Sequence, residues 1–307
     1  MSQLEYSTLG FESILVNLDG AVLIVKMNRA KQRNSWGGTL AEEFAKVFEL
    51  ADKDDRVRVV ILTADPTAPA YCSGADLSQG PKFGGTLNDA VREPGLYFLY
   101  KDHRDNGGKV SLAIYHCRKI TIAAVNGHAA GVGMTAMQLP FDIRFVWAGA
   151  KLTFPFVRRG IVPEATSSYL LPRLLGHSRA SYLFVTGTTI SPTSPIIQPL
   201  YHSTFSTREE VFPAALALAK DLAVNTSARS IAYTKALLQH PGESIEENHL
   251  LDSRGISLLG KSGDAREGVQ SFKERRDPKF MDKLDGQGDG WHAWFPWWKT
   301  VNVKSKL

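Results

Sequence analysis

Two short apolar runs constrain this chain most. Val57-Arg58-Val59-Val60-Ile61-Leu62-Thr63 and Ile120-Thr121-Ile122-Ala123-Ala124-Val125 are β-rich and almost wholly apolar, as buried strands are. Each leads into a loop that carries glycine: Tyr71-Cys72-Ser73-Gly74-Ala75-Asp76-Leu77 beyond the Pro/Ala-rich turn at Asp65 to Pro69, and Asn126-Gly127-His128-Ala129-Ala130-Gly131-Val132-Gly133. Helical periodicity lies beside them, from Thr39 to Ala51 with Leu40, Phe44, Val47 and Phe48 on one face, and over Val110 to Cys117. Met134 to Leu139 reads as the start of another helix. The recurring unit is strand, turn, helix, which places the chain in the α/β class.

The rest fits around that unit. Ser13 to Leu18 and Ala21 to Met27 read as a hairpin about Asp19-Gly20, and 141–147 and 151–154 as short strands. From about Thr207 the pattern turns helical, over 209–225, 226–238 and 244–259, with a last basic helix at Arg266 to Arg276. The expected division is a core over 1–200, a helical region over 201–280 and a tail over 281–307. That tail holds four of the six tryptophans, Trp291, Trp294, Trp297 and Trp298.

A 43% hydrophobic and 22% charged composition can bury a sizeable core. The net charge of +5 is compatible with a phosphate-bearing ligand, but the basic residues form no stripe interleaved with aromatics, so nucleic acid is not expected. Two cysteines, Cys72 and Cys117, make neither a disulfide framework nor a zinc cluster. No run reaches the length of a membrane span. No basic and apolar leader opens the chain, and the last residues, Ser305-Lys306-Leu307, match a receptor-read peroxisomal address. The peroxisome and its import receptor are therefore the expected compartment and partner.

Several motifs compete. Gly255-Ile256-Ser257-Leu258-Leu259-Gly260-Lys261-Ser262 matches the P-loop letter for letter, but helix formers precede it and apolar side chains fill it, so it reads as a helix end. No metal-ligand spacing occurs among the eight histidines, and no Gly-x-Ser-x-Gly elbow is present. Cys72 lacks an accompanying histidine and acid, and reads as a packing residue. Asp76 suits capping better than catalysis. The two glycine loops are either ordinary turns or a pair of N–H-presenting loops aimed at one oxyanion. Glu164 follows Pro163 and precedes Leu170, Leu171, Leu174 and Leu175 at helical spacing. Taken alone it reads as a first-turn carboxylate, favoured there by the helix dipole.

Together these segments resemble the crotonase superfamily, the enoyl-CoA hydratase/isomerase family, over roughly residues 10 to 280. Asn28 to Ser35 is similar to the family's early coenzyme A loop, Tyr71 to Leu77 and Ala124 to Gly133 to its two oxyanion loops, and Asp142-Ile143 to the strand that follows. Arg159 to Gly176 is similar to its third active-site segment, and Arg266 to Arg276 to its C-terminal signature. The resemblance implies a spiral of ββα units, a helical region that builds trimers or hexamers, and an acyl-CoA substrate, with no cofactor beyond the coenzyme A that the substrate carries. It assigns the oxyanion N–H groups to Ala75 and Val132, and substrate contacts to Arg33, Ser73, Gly74, Asp76, Leu77 and Gly131. Typical hydratases carry two glutamates, whose positions fall here on Thr135 and about Phe156. The carboxylate left is Glu164, in the Pro-Glu position of the peroxisomal Δ3,Δ2-enoyl-CoA isomerases. The resemblance thus implies a single-base isomerase, with a hydratase or a non-catalytic acyl-CoA binder as the alternatives.

Overall fold

The computed structural model describes residues 4–78 and 104–284. The four tail tryptophans, the terminal tripeptide and most of residues 78–108 lie outside the described residues.

The chain opens on the expected hairpin. Strand β1 (Ile14–Asp19) pairs antiparallel with β2 (Val22–Met27), and the pairing of Asp19 with Val22 leaves Gly20-Ala21 as the turn. The turn sits one residue later than the Asp-Gly reading because Gly20, with φ of +61°, takes the first central position of a two-residue loop. Helix α1 (Leu40–Lys53) follows, and then β3 (Val59–Ala64), buried at every residue. Helix α2 (Asn106–His116) leads to β4 (Ile120–Val125). A short β5 (Ala129–Ala130), then β6 (Ile143–Trp147) and β7 (Leu152–Thr153) complete the central part. Beyond them come α3 (Ser167–Leu175), α4 (His177–Thr186), β8 (Ser203–Phe205), α5 (Arg208–Asn225), α6 (Ala228–Gln239), α7 (Ile245–Leu259) and α8 (Gly263–Glu274).

Six strands form one sheet in the order β1-β2-β3-β4-β6-β8, parallel throughout except for the opening hairpin. Strands β5 and β7 make a small parallel pair beside it. The period of two along a strand explains why the two founding runs are apolar on both faces. Val60 and Leu62 of β3 pack with Leu40, Phe44, Val47 and Phe48 of α1. Val59 and Ile61 join Val211, Ala215 and Ala219 of α5 on the opposite face. The core therefore extends past residue 200, since β8 pairs with β6 and α5 covers the sheet. Helix α6 belongs to a smaller cluster of Ala232, Tyr233, Ala236 and Leu284.

One local expectation changes. Residues 134–139 form irregular turns rather than a helix. Met137 N–H reaches Val132 O (3.2 Å), Gln138 Nε2 donates to Gly133 O (2.8 Å) and Tyr71 Oη to Met137 O (3.0 Å), so side chains take carbonyls that a helical ladder would use. Helix α4 and strand β8 carry no clear sequence signal; β8 has three residues, none of them buried. Gly255 lies inside α7, which ends at Leu259, in agreement with the helix-end reading of the P-loop match.

A buried ion pair fixes the helical region to the sheet. Lys235 Nζ on α6 meets Asp142 Oδ2 at 2.8 Å and Lys119 O at 3.1 Å, and the same Asp142 oxygen accepts from Thr121 N and Oγ1, each at 2.8 Å. The Lys235 side chain is 6% exposed and that of Asp142 19%. Lys235→Ala is expected to cost roughly 3 kcal/mol by leaving that carboxylate without its cation. Chemical denaturation should show the loss as a lower midpoint at unchanged slope.

Candidate active site

Strands β3 and β4 lie side by side and parallel, so the loops that leave their carboxyl ends emerge together. The first loop is held from two sides. Cys72 bridges Ala129 through Cys72 N–H to His128 O (3.2 Å) and Ala130 N–H to Cys72 O (3.0 Å). On its other flank Ala75 bridges Trp36, with bonds running from Trp36 N–H to Gly74 O (2.8 Å) and from Asp76 N–H to Trp36 O (2.9 Å). In such a parallel bridge the bonds use the neighbours of Ala75, so its own N–H points away from Trp36. Gly74 makes the approach possible. It has φ of +94°, and a Cβ there would lie 3.2 Å from Ala130 O of the second loop.

The second loop opens a helical turn, Gly131–Gly133. Gly131 O accepts from Met134 N (2.8 Å) and Thr135 N (3.0 Å). Val132 N–H belongs to the leading N–H groups that a helical turn leaves without an internal partner. The two loops thus meet, with Ala75 on one and Val132 on the other.

The remaining residues proposed for ligand contact gather on the rim of the first loop. Arg33 is exposed and left-handed (φ 55°), and its carbonyl accepts Ser73 N–H at 3.2 Å. Ser73 and Leu77 are exposed. Asp76 is committed to the loop itself. Its Oδ1 accepts from Ser78 N (3.1 Å) and its Oδ2 from Arg29 Nη2 (3.2 Å) and Ser35 Oγ (3.3 Å), which fits the capping reading. The Ser78 hydrogen bonds, followed by those of Ser35 and the charge of Arg29, hold its carboxyl below the usual range. Cys72 is buried, and burial pushes its thiol up to about 12, so it packs as expected and supplies no thiolate.

Glu164 differs from the first-turn carboxylate expected. Helix α3 begins at Ser167, three residues on, because Ala165 (φ 57°) and Thr166 (φ 58°) are both left-handed and break the helical path. Two such non-glycine residues cost about 1–3 kcal/mol each, and the surroundings must over-determine them. Ala165 is fully buried, Ser167 N–H bonds Glu164 O at 3.1 Å, and Thr166 Oγ1 lies 2.6 Å from Ser111 Oγ of α2. The strained pair turns Glu164 inward, against Thr135 and the start of α2. Thr135 Oγ1 donates a short hydrogen bond to Glu164 Oε1 and reaches back toward Gly131 O (3.4 Å), so one fully buried side chain ties the carboxylate to the second loop. On the other side a Cβ on Gly107 would fall 2.0 Å from Glu164 Oε2, a spacing that only glycine permits.

The electrostatics follow from that placement. Burial pushes the Glu164 carboxyl up to about 7, the Thr135 hydrogen bond opposes the rise, and Asp105 adds to it. Dipole stabilisation at the start of α3 does not operate, since Glu164 precedes that helix. Among the described residues, no three side chains of metal-ligating type come together, and no helix is long and apolar enough to cross a membrane.

The family model described as Enoyl-CoA hydratase/isomerase matches residues 17–283. This chain belongs to the enoyl-CoA hydratase/isomerase family, within the crotonase superfamily. The family member enoyl-CoA hydratase AFT3-1 of Alternaria alternata is 38% identical over 294 residues, covering 94% of each chain. A more distant member, the 1,2-epoxyphenylacetyl-CoA isomerase of Escherichia coli, is 27% identical over 285 residues, 89% of this chain and 99% of that protein. A probable enoyl-CoA hydratase/isomerase from Mycobacterium abscessus superposes with a TM-score of 0.77 at 31% identity, over 88% of this chain and 99% of that one.

Thr135, read from the sequence as a position emptied of its glutamate, holds the carboxylate instead. Its hydrogen bond favours the ionised form of Glu164, so Thr135→Val should push that carboxyl further up from about 7. A titration of the Glu164 carboxyl followed by NMR between pH 5 and 9 measures the shift.

Proposed function

We propose that this enzyme moves a proton on an enoyl-CoA thioester through Glu164, converting a 3-enoyl to a trans-2-enoyl group. One observation carries the reading. Glu164 is a half-buried carboxyl poised near neutrality and tied through Thr135 to the second glycine loop, whereas the two positions at which the family resemblance places the glutamates of typical hydratases fall on Thr135 and about Phe156. A group that must take a proton and give it back works best with its acid strength near the working pH. Glu164 removes the proton from C2 as the C2–H electron pair delocalises toward the thioester oxygen. The N–H groups of Ala75 and Val132 receive that charge. Losing such a donor typically costs about 2.7–4 kcal/mol of transition-state stabilisation. The same carboxyl then delivers the proton to C4, which completes the shift with no other reactant.

Hydration of a trans-2-enoyl group is the second reading. The 38%-identical relative is named a hydratase, and a second carboxyl group, Asp105, acts on Glu164. Water addition needs a placed water and a proton delivered to C2, a task suited to two acid/base groups. Glu164→Gln is expected to lower kcat by roughly 10²- to 10⁴-fold and to leave acyl-CoA affinity in place. Product-resolved assays on 3-enoyl and trans-2-enoyl substrates measure that loss and separate the readings. A variant that keeps most of its turnover on both would remove Glu164 from the chemistry.

Self-association accompanies this reading. Ile245, Leu250 and Ile256 on α7 and Val269 and Phe272 on α8 are more than half exposed. Apolar side chains so placed along two helices fit a surface covered by further copies of the chain. A trimer in sedimentation velocity is the expected outcome, and a monomer at micromolar concentration would refute it.

A further inference from the structure

We propose that Asp105 is the proton partner of Glu164: the two carboxyl groups meet over Gly107 and share one proton. The inference rests on Glu164 as the proton-transfer group and concerns how its acidity is set.

Asp105 is the N-cap of α2, and its Oδ1 accepts the N–H of Gly108. That bond brings the carboxylate back over the first turn of the helix. A Cβ built on Gly107 would lie 3.2 Å from this same Oδ1 and 2.0 Å from Glu164 Oε2. The two carboxyl groups therefore converge on one backbone point, at the junction between α2 and the segment before α3. Glycine is what leaves room for them.

Glu164 Oε1 accepts from Thr135, and its other oxygen, Oε2, faces Gly107. Asp105 caps the start of α2, where the positive end of the helix attracts negative charge, so the shared proton is assigned to Glu164 Oε2 and is donated to Asp105. Two carboxylates brought to one point repel each other when both are charged, and a shared proton relieves that repulsion. Among the described residues, the other titratable group interacting with Glu164 is Cys72, whose buried thiol is uncharged at neutral pH.

Asp105 does not touch the reacting carbons in this scheme and is a positioning residue. By opposing loss of the proton it makes the ionised form of Glu164 a stronger base, and so a better acceptor of the C2 proton. Asp105→Asn separates this role from capping, because asparagine caps helices about as well as aspartate. The expected result is an unchanged melting temperature, unchanged acyl-CoA affinity, and an acid limb of kcat displaced to lower pH by about half a unit to one unit. The kcat of the alkaline plateau should fall several-fold with the weaker base. Asp105→Ala should show the same displacement with a lower melting temperature, since the cap is lost as well. An acid limb that stays in place in Asp105→Asn, or moves upward, would overturn the proposal. If Glu164→Gln is inactive while Asp105→Asn keeps the parent profile, the pairing fails and the assignment of Glu164 stands. If Glu164→Gln is active, both fail.

Discussion

The site depends on keeping one carboxyl group out of water. Glu164 is enclosed by Thr135, the start of α2 and the buried Ala165, and that enclosure is the largest reason its carboxyl rises to about 7. A carboxylate in solution would be too weak a base at neutral pH to remove a carbon-bound proton efficiently, and a fully neutralised acid could not accept one at all. Burial with a single hydroxyl donor lies between these limits. The left-handed Ala165-Thr166 pair is the local cost of that placement, and the Ser111–Thr166 contact with α2 is part of what sustains it.

The sheet puts that carboxyl where it can act. Because β3 and β4 are adjacent and parallel, their outgoing loops converge without any long-range device. Burial of both sheet faces, by α1 and by α5, makes the strand ends rigid, and the bridges Cys72–Ala129 and Trp36–Ala75 carry that rigidity into the loops. Backbone donors fixed in this way lose little energy to reorganisation as charge develops. The proposed oxyanion role of the loops and the proposed proton transfer by Glu164 both rest on this arrangement.

Much of this was legible in the sequence, for identifiable reasons. The runs at 57–63 and 120–125 could only be buried strands, and the glycine loops had to follow them. The Pro163-Glu164 pair was visible too, but its geometry was misread. Proline at 163 and leucines from 170 suggested one helix, whereas the two left-handed residues that delay it, Ala165 and Thr166, carry no glycine or asparagine to announce them. Thr135 could be seen only as a missing glutamate, since nothing local says that its hydroxyl points at residue 164. Asp105 was harder still. The helix expected from Val110 starts instead at Asn106 with Asp105 as its cap, and the nearness of Asp105 to Glu164 joins residues 59 positions apart and depends on α2 docking against the segment before α3. Local sequence patterns do not encode that contact.

Catalysis and stability pull in opposite directions at Glu164. In the unfolded chain its carboxyl has the ordinary value of 4.5, and in the folded protein it is pushed up to about 7. The folded state therefore binds the proton more tightly than the unfolded state does. Below the ordinary value both states are protonated and folding bears no penalty from this group. As the pH rises between the two values the unfolded chain ionises first, and stability is lost until the folded group ionises as well. The full difference is about 3 kcal/mol, an appreciable part of a domain's net stability. In the proposed single-base reaction, proton abstraction requires the ionised form, so activity and the stability contribution of this residue are expected to oppose each other. The ion pair of Lys235 with Asp142 and the burial of β3 and β4 on both faces lie away from this conflict, and they supply stability that does not depend on the protonation of Glu164.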